Sequence, residues 1–153
     1  MNHLLILHWP YLELILAGVK TVESRLSRRR HPAATRCRPG DVLYLKQAGG
    51  DVRARATVAR VVEVNDIPPG GVAVLAREWG ARVAGDGPDD PYWRAKRDAR
   101  HALFLELTDV KPVHIPAAAL PRRLPWASAW IVGQPDEQTI RRFVPTDICP
   151  AHP

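Results

Sequence analysis

This sequence lacks any spacing that would hold a metal ion. Its six histidines, His3, His8, His31, His101, His114 and His152, are scattered, with no two at helical i, i+4 positions. Its two cysteines, Cys37 and Cys149, form no C-x-x-C pair, and nothing in their placement requires a disulfide. A mononuclear zinc hydrolase is therefore not expected, and neither a metal nor another cofactor is called for. There is no glycine-rich loop followed by Lys-Ser or Lys-Thr and no G-x-S-x-G elbow. Those absences set aside P-loop triphosphatases and serine esterases. No apolar run approaches the ~20 residues needed to cross a bilayer. No basic region precedes the first apolar residues either, so the expected address is the cytoplasm.

What is present is a chain of 153 residues, 46% hydrophobic, with 15 prolines and a net charge of +6. That length suits one domain with a real core, expected over residues 1–145, followed by a tail over 146–153. The sequence pI is about 9.9. Most of the positive charge is arginine, since the lysines are only Lys20, Lys46, Lys96 and Lys111. Arginine's planar fork suits phosphate contacts and stacking on bases.

The stretch from Gly18 to Arg25 concentrates the chemistry. It follows an apolar run, Leu12 to Ala17, that reads as a short helix, with Gly18 supplying the positive φ that ends it. If Thr21 to Arg25 is extended, Thr21, Glu23 and Arg25 share one face while Val22 and Ser24 take the other. Lys20 then sits in the turn, free to swing over the same cleft. Such a group forms a plausible anion or nucleobase site. The plainer reading is a solvated ion pair worth roughly 0–1 kcal/mol.

These residues carry a family likeness. His8-Trp9-Pro10-Tyr11, the apolar helix and Gly18-x-Lys20-x-x-Glu23-x-Arg25 resemble the N-terminal signature of the ASCH family, whose fold is similar to the PUA RNA-binding domain. Pro39-Gly40-Asp41-Val42-Leu43-Tyr44-Leu45 is similar to that family's Gly-Asp-apolar strand. The likeness is good from residue 3 to about 65 and thinner to about 132. It implies an α+β fold, a small mixed β-barrel of PUA-like type with helices at its mouth. It also implies RNA or a nucleoside as partner, with DNA as the other nucleic acid to consider. ASCH relatives include RNA binders, ribonucleases and small amidohydrolases acting on N4-acetylcytidine. The amidohydrolases use a lysine, a threonine and a glutamate. Their threonine stands where this chain has Glu23, and Thr21 lies two positions earlier.

Three functions compete. A metal-independent hydrolase would use Lys20 as base or nucleophile, with Thr21, Glu23 and Glu78 as the other catalytic candidates. Glu78 enters through the likeness of Ala76-Arg77-Glu78-Trp79-Gly80 to a family helix whose glutamate faces the lysine. A non-catalytic nucleic-acid clamp or coregulator module would bind through Arg25, Arg28, Arg29, Arg30 and Lys46. Trp9, Tyr11 and Tyr44 would then stack bases. A protein-interaction domain would turn the basic surface toward an acidic partner. Oligomeric state is not readable from the sequence.

Along the rest of the chain, strands are expected at Leu4–Leu7, Val42–Gln47 and Val52–Val58, the last continuing or restarting at 61–64. In the second hairpin arm Val52, Ala54, Ala56 and Val58 point inward and Arg53 and Arg55 outward, extending a basic track with Arg122 and Arg123. A helix over Val72–Val83 has Val72, Leu75, Ala76, Trp79 and Val83 on one stripe. After a flexible turn at Gly85-Asp86-Gly87-Pro88-Asp89-Asp90 comes a charged helix over Tyr92–Arg100. Strands at Ala102–Thr108 and Val113–Ile115 follow, then a basic loop leading to Trp126 and Trp130, which are expected to pack inside. A last helix opens at Asp136.

Overall fold

Leu4, Leu5 and Leu7 are buried because the first strand, β1 (Asn2–Leu7), has neighbours on both sides and clusters on both faces. Strand alternation sends Leu5 and Leu7 into one hydrophobic cluster and Leu4 into another. The computed structural model describes residues 1–83, 88–125 and 128–148. Gly85, Asp86 and Gly87 of the predicted turn, Trp126, Cys149 and the end of the tail with His152 lie outside them, while the rest of that turn, Pro88 to Asp90, is a turn as expected.

The remaining strands are β2 (Val22–Ser27), β3 (Val42–Gln47), β4 (Val52–Val64), β5 (His101–Ile115) and β6 (Trp130–Val132). They form one mixed sheet in the order β2-β5-β4-β3-β1-β6, curled into a half-barrel. Only β1 and β3 run parallel; the other pairs are antiparallel. The curl follows from the long β4–β5 ladder, whose register shifts at Val52/Ala54, Arg55/Thr57 and Val58/Arg60. Each such bulge adds twist and bends the strand.

The helices are α1 (Tyr11–Leu16), α2 (Gly71–Val83), α3 (Pro91–Ala95) and α4 (Glu137–Phe143). The expected stripe of α2 is buried as a set, and Trp79 stacks on Phe104 of β5 with centroids 4.3 Å apart and planes 2° from parallel. Asp136 caps α4 by accepting the Thr139 N–H.

Four local expectations are corrected. The charged helix is only five residues long, because between 92 and 100 just Trp93 and Ala99 are buried and no continuous stripe exists to hold it. The chain tightens instead into three-residue turns, Lys96 N–H to Trp93 O and Ala99 N–H to Lys96 O. Strand β5 is continuous where two strands are expected. Its pairing with β4 carries it past Asp109, at φ 50°, and Pro112. Trp130 begins a strand rather than ending a loop, since β1 offers an open edge from His3 to Leu5. Arg55 is fully buried, not outward. Alternation does put it on the face opposite Ala54 and Val58, but that face is covered as well: Arg55 pairs with Tyr44 beside the cluster of Leu4 and Ile140, and its guanidinium donates to the Ile148 carbonyl. Ile148 packs on the cluster formed by Leu4, Tyr44 and Ile140, which docks the chain between residues 145 and 148.

Candidate functional site

The site begins with the way α1 ends. Gly18, at φ 74°, places its N–H on Ile15 O and lets the Val19 N–H reach Leu14 O, a Schellman closure. The chain reverses there, and Lys20 passes under the start of β2. Its Nζ donates to the carbonyls of Val22 (2.7 Å) and Val83 (3.1 Å) and lies 3.4 Å from Glu23 Oε2. All three ammonium protons have an acceptor in range. Val83 is the last residue of α2. Lys20 therefore ties α2 to β2 and is not free to swing over a cleft.

Among the described residues strand β2 pairs only with β5, on one edge, and β6 pairs with β1 only from His3 to Leu5. Between the open edge of β2 and the far end of β1 the half-barrel leaves a seam. A cleft of about 390 Å³ fills it, within the size range of small-ligand sites. Because one wall is the edge of a strand, consecutive residues Glu23, Ser24 and Arg25 all line it, not alternate ones. Tyr11 from α1 and Tyr92 from α3 meet at the cleft edge-to-face, with centroids 5.9 Å apart. The Tyr92 hydroxyl lies 2.5 Å from Ser24 Oγ. Arg25 Nη2 donates to Ile6 O at 3.4 Å, crossing the seam, and Arg25 Nε stands 3.2 Å from Glu23 Oε1. Glu23 thus lies between two cations, yet its Oε2 and Arg25 Nε are buried without a well-formed hydrogen bond. An adjoining crevice beside Arg30 and Glu63 has only about 10 Å³, room for one water at most.

Burial sets the local electrostatics. It pulls Lys20 below its ordinary value, with Arg25 adding to that and Glu23 opposing it. It raises Tyr92, whose bond to Ser24 only partly offsets the effect, and it raises Tyr11 with help from Asp90 and Glu23. His31 is lowered by burial and then by Arg25. The arrangement offers a carboxylate, a guanidinium and two phenol rings in one hollow, as planar polar ligands require.

The expected site residues divide. Glu23, Arg25 and Tyr11 line the cleft together; Trp9, 74% exposed, does not line it. Lys20 lies behind Glu23. Thr21 is exposed with its N–H bonded to Arg82 O, and Glu78 is exposed on α2; neither lines the cleft. Tyr44 and Lys46 are buried and do not line it, Tyr44 packing in the cluster with Leu4. Arg28, Arg29 and Arg30 follow β2 as exposed residues, Arg28 facing Asp98 at 3.7 Å and Arg30 facing Glu63 at 2.7 Å. Arg122 and Arg123 are exposed as well. Sequence reasoning missed Ser24, His31, Tyr92 and Lys96 as lining residues. Asp90-Pro91 announces a helix at Tyr92, but nothing local says that this helix closes the seam.

A second cluster, away from the seam, has the residue types of a metal site. His3, Cys37 and Asp41 bring three potential ligand atoms within 4.8 Å of one another. Trp130 Nε1–H donates to His3 Nδ1 at 2.9 Å, so the neutral ring carries its proton on Nε2, which donates to Asp41 Oδ2 at 2.9 Å. Neither ring nitrogen has a lone pair left for a metal. Burial raises the Cys37 thiol to about 12, with Asp41 adding to it. Burial also pushes Asp41 up, but bonds from His3, the Arg38 N–H and the Met1 amine outweigh it and hold the carboxyl below its ordinary value. The cluster is a hydrogen-bond hub joining β1, β3 and β6.

No family model and no curated protein matches the chain. Solved structures do. The ASCH structure from Zymomonas mobilis superposes with a TM-score of 0.60 at 19% identity, covering 76% of this chain and 74% of its own. Two mutant structures of that protein give TM-scores of 0.58 and 0.56 at 20% identity, each covering 76% of this chain and, in turn, 76% and 75% of their own. Identity at that level speaks for architecture alone: the α+β half-barrel of this chain is similar in fold to the ASCH structure.

Proposed function

We propose that this chain is an ASCH-family protein that binds RNA, or a nucleoside unit of it, in the seam between β1 and β2. The observation that carries the reading is the convergence of Glu23 and Arg25 with Tyr11 and Tyr92 in one hollow of nucleoside size. A base would stack on a phenol ring while its edge bonds the carboxylate and guanidinium. The exposed arginines after β2, beginning at Arg28, would take the neighbouring phosphates. Titration of single-stranded RNA and of nucleosides into wild type and Tyr11→Ala tests it. Binding weakened by about tenfold or more in the variant supports the cleft, since one stack is worth about 1–3 kcal/mol. No binding of RNA, DNA or nucleosides at low salt rejects it.

A metal-independent hydrolase acting on RNA or N4-acetylcytidine is the second reading. It is favoured by one feature, the nearly buried Glu23 carboxylate at the cleft. Of the four catalytic candidates only Glu23 lines the hollow, so binding is the stronger reading. Incubation with labelled RNA and, separately, with N4-acetylcytidine in EDTA decides between them. Turnover that Glu23→Gln abolishes would establish the enzyme; none by wild type would retire it.

A further inference from the structure

His31 opens the 3₁₀ turn Pro32–Thr35 as its cap, and it does so with its ring. The Ala33 N–H donates to His31 Nδ1 at 3.2 Å. A backbone N–H can only donate, so Nδ1 must be the acceptor and the neutral ring must carry its proton on Nε2. The ring is further fixed by Trp130, with centroids 5.3 Å apart. His31 lines both the seam cleft and the adjoining crevice. Among the described residues its Nε2 has no hydrogen-bond partner. A preset N–H donor therefore borders the hollow, and no described residue takes it up.

We propose that His31 is a ligand-reading residue of this site: a neutral imidazole, locked in one tautomer by Ala33, whose Nε2–H donates to an acceptor oxygen of the bound nucleotide. The proposal rests on the reading of the seam as an RNA or nucleoside site. Two oxygens share the required chemistry, a base carbonyl and a phosphate oxygen. Burial and the neighbouring Arg25 both disfavour the imidazolium, so the contact is a directional hydrogen bond, not a charge attraction. A neutral donor discriminates by position, whereas a cation there would accept any anion.

Two substitutions separate the ring's tasks. In His31→Asn the amide oxygen replaces Nδ1 and keeps the cap, asparagine being among the best cap residues, but the donor no longer reaches. In His31→Gln the amide nitrogen approximates Nε2 while the cap is lost. The probes are uridine and uridine 3′-monophosphate, titrated into the full chain. The expected result is that His31→Asn melts like wild type but binds about five- to tenfold more weakly, the worth of one hydrogen bond. His31→Gln should melt lower yet bind within about twofold of wild type. A loss confined to the monophosphate identifies a phosphate oxygen; a loss with both probes identifies the carbonyl. Wild-type affinity in His31→Asn overturns the inference and leaves the cleft reading standing. Failure of wild type to bind either probe overturns the inference, and the RNA titration then decides the cleft reading by itself. Independently of any ligand, nitrogen NMR that finds the proton on Nδ1 at pH 7.5 overturns the inference.

Discussion

Lys20, Glu23 and Arg25 show how one short stretch can serve structure and recognition at once. Glu23 is 4% exposed and Lys20 3%, so each is viable only with the other in place. Replacing Lys20 by Met would strip the Val22 and Val83 carbonyls of their donor and leave Glu23 with Arg25 alone. Breaking a buried pair by removing one partner costs about 3–5 kcal/mol, and urea denaturation of Lys20→Met should show a loss of that order. A loss below about 1 kcal/mol would mean the ammonium is not a structural tie. His31 gives a second test at this scale. Its folded-state pKa lies below the ordinary 6.5, so on acidification the unfolded chain takes the proton first. The stability it contributes is complete above pH 6.5 and is lost as pH falls through the lower folded value. Thermal melts between pH 7.5 and 5 should therefore fall more steeply for wild type than for His31→Asn; parallel curves would refute this.

At the scale of elements, the seam exists because β2 is an edge strand and β6 stops at Leu5 of β1. The short helix α3 then closes one side by carrying Tyr92 to Ser24. Its first turn depends on Asp90, whose carboxylate accepts the Tyr92 N–H at 2.9 Å. Asp90→Ala should cost about 1 kcal/mol of stability, the usual worth of a cap, and should weaken ligand binding through a loosened Tyr92. Unchanged affinity would show that Tyr92 is held by its hydroxyl bond and ring contacts alone. Helix α2 lies behind β2 and supports it from the other side. Trp79→Ala removes the stack on Phe104 and should cost about 3–5 kcal/mol by chemical denaturation.

The molecule as a whole carries its +6 charge unevenly in effect, because many arginines are already paired. Arg53 pairs with Glu13, Arg30 with Glu63, and Arg82 and Arg60 with Glu106. Arg29, exposed beside the seam, has no ion pair among the described residues. Binding of single-stranded RNA should weaken steeply with salt as arginines release phosphate counterions. Replacing Arg28, Arg29 and Arg30 together should flatten the logarithmic salt slope by about 2, at about 0.7 per phosphate contact. An unchanged slope would exclude that loop from the interface.

Periodicity makes much of this legible. The buried stripe of α2, the bounds of β3, the Gly18 turn and the Asp136 cap are all dictated by residues within one element, where local sterics and burial act alone. Arg55 escapes such reasoning because alternation says which face a residue takes and not what covers that face, and the Ile148 carbonyl that receives it lies 93 residues away. Lys20 reads as mobile in the sequence because the Val83 carbonyl that captures it lies 63 residues away. Ser24, His31 and Tyr92 are silent for the same reason: a seam between strand edges has no sequence signature. The chain's own order of residues set strands β1 and β3, the buried face of α2 and the charge, since those follow from neighbours along the backbone. Which side chains share a hollow was decided by how the sheet failed to close, a property that belongs to the packed whole.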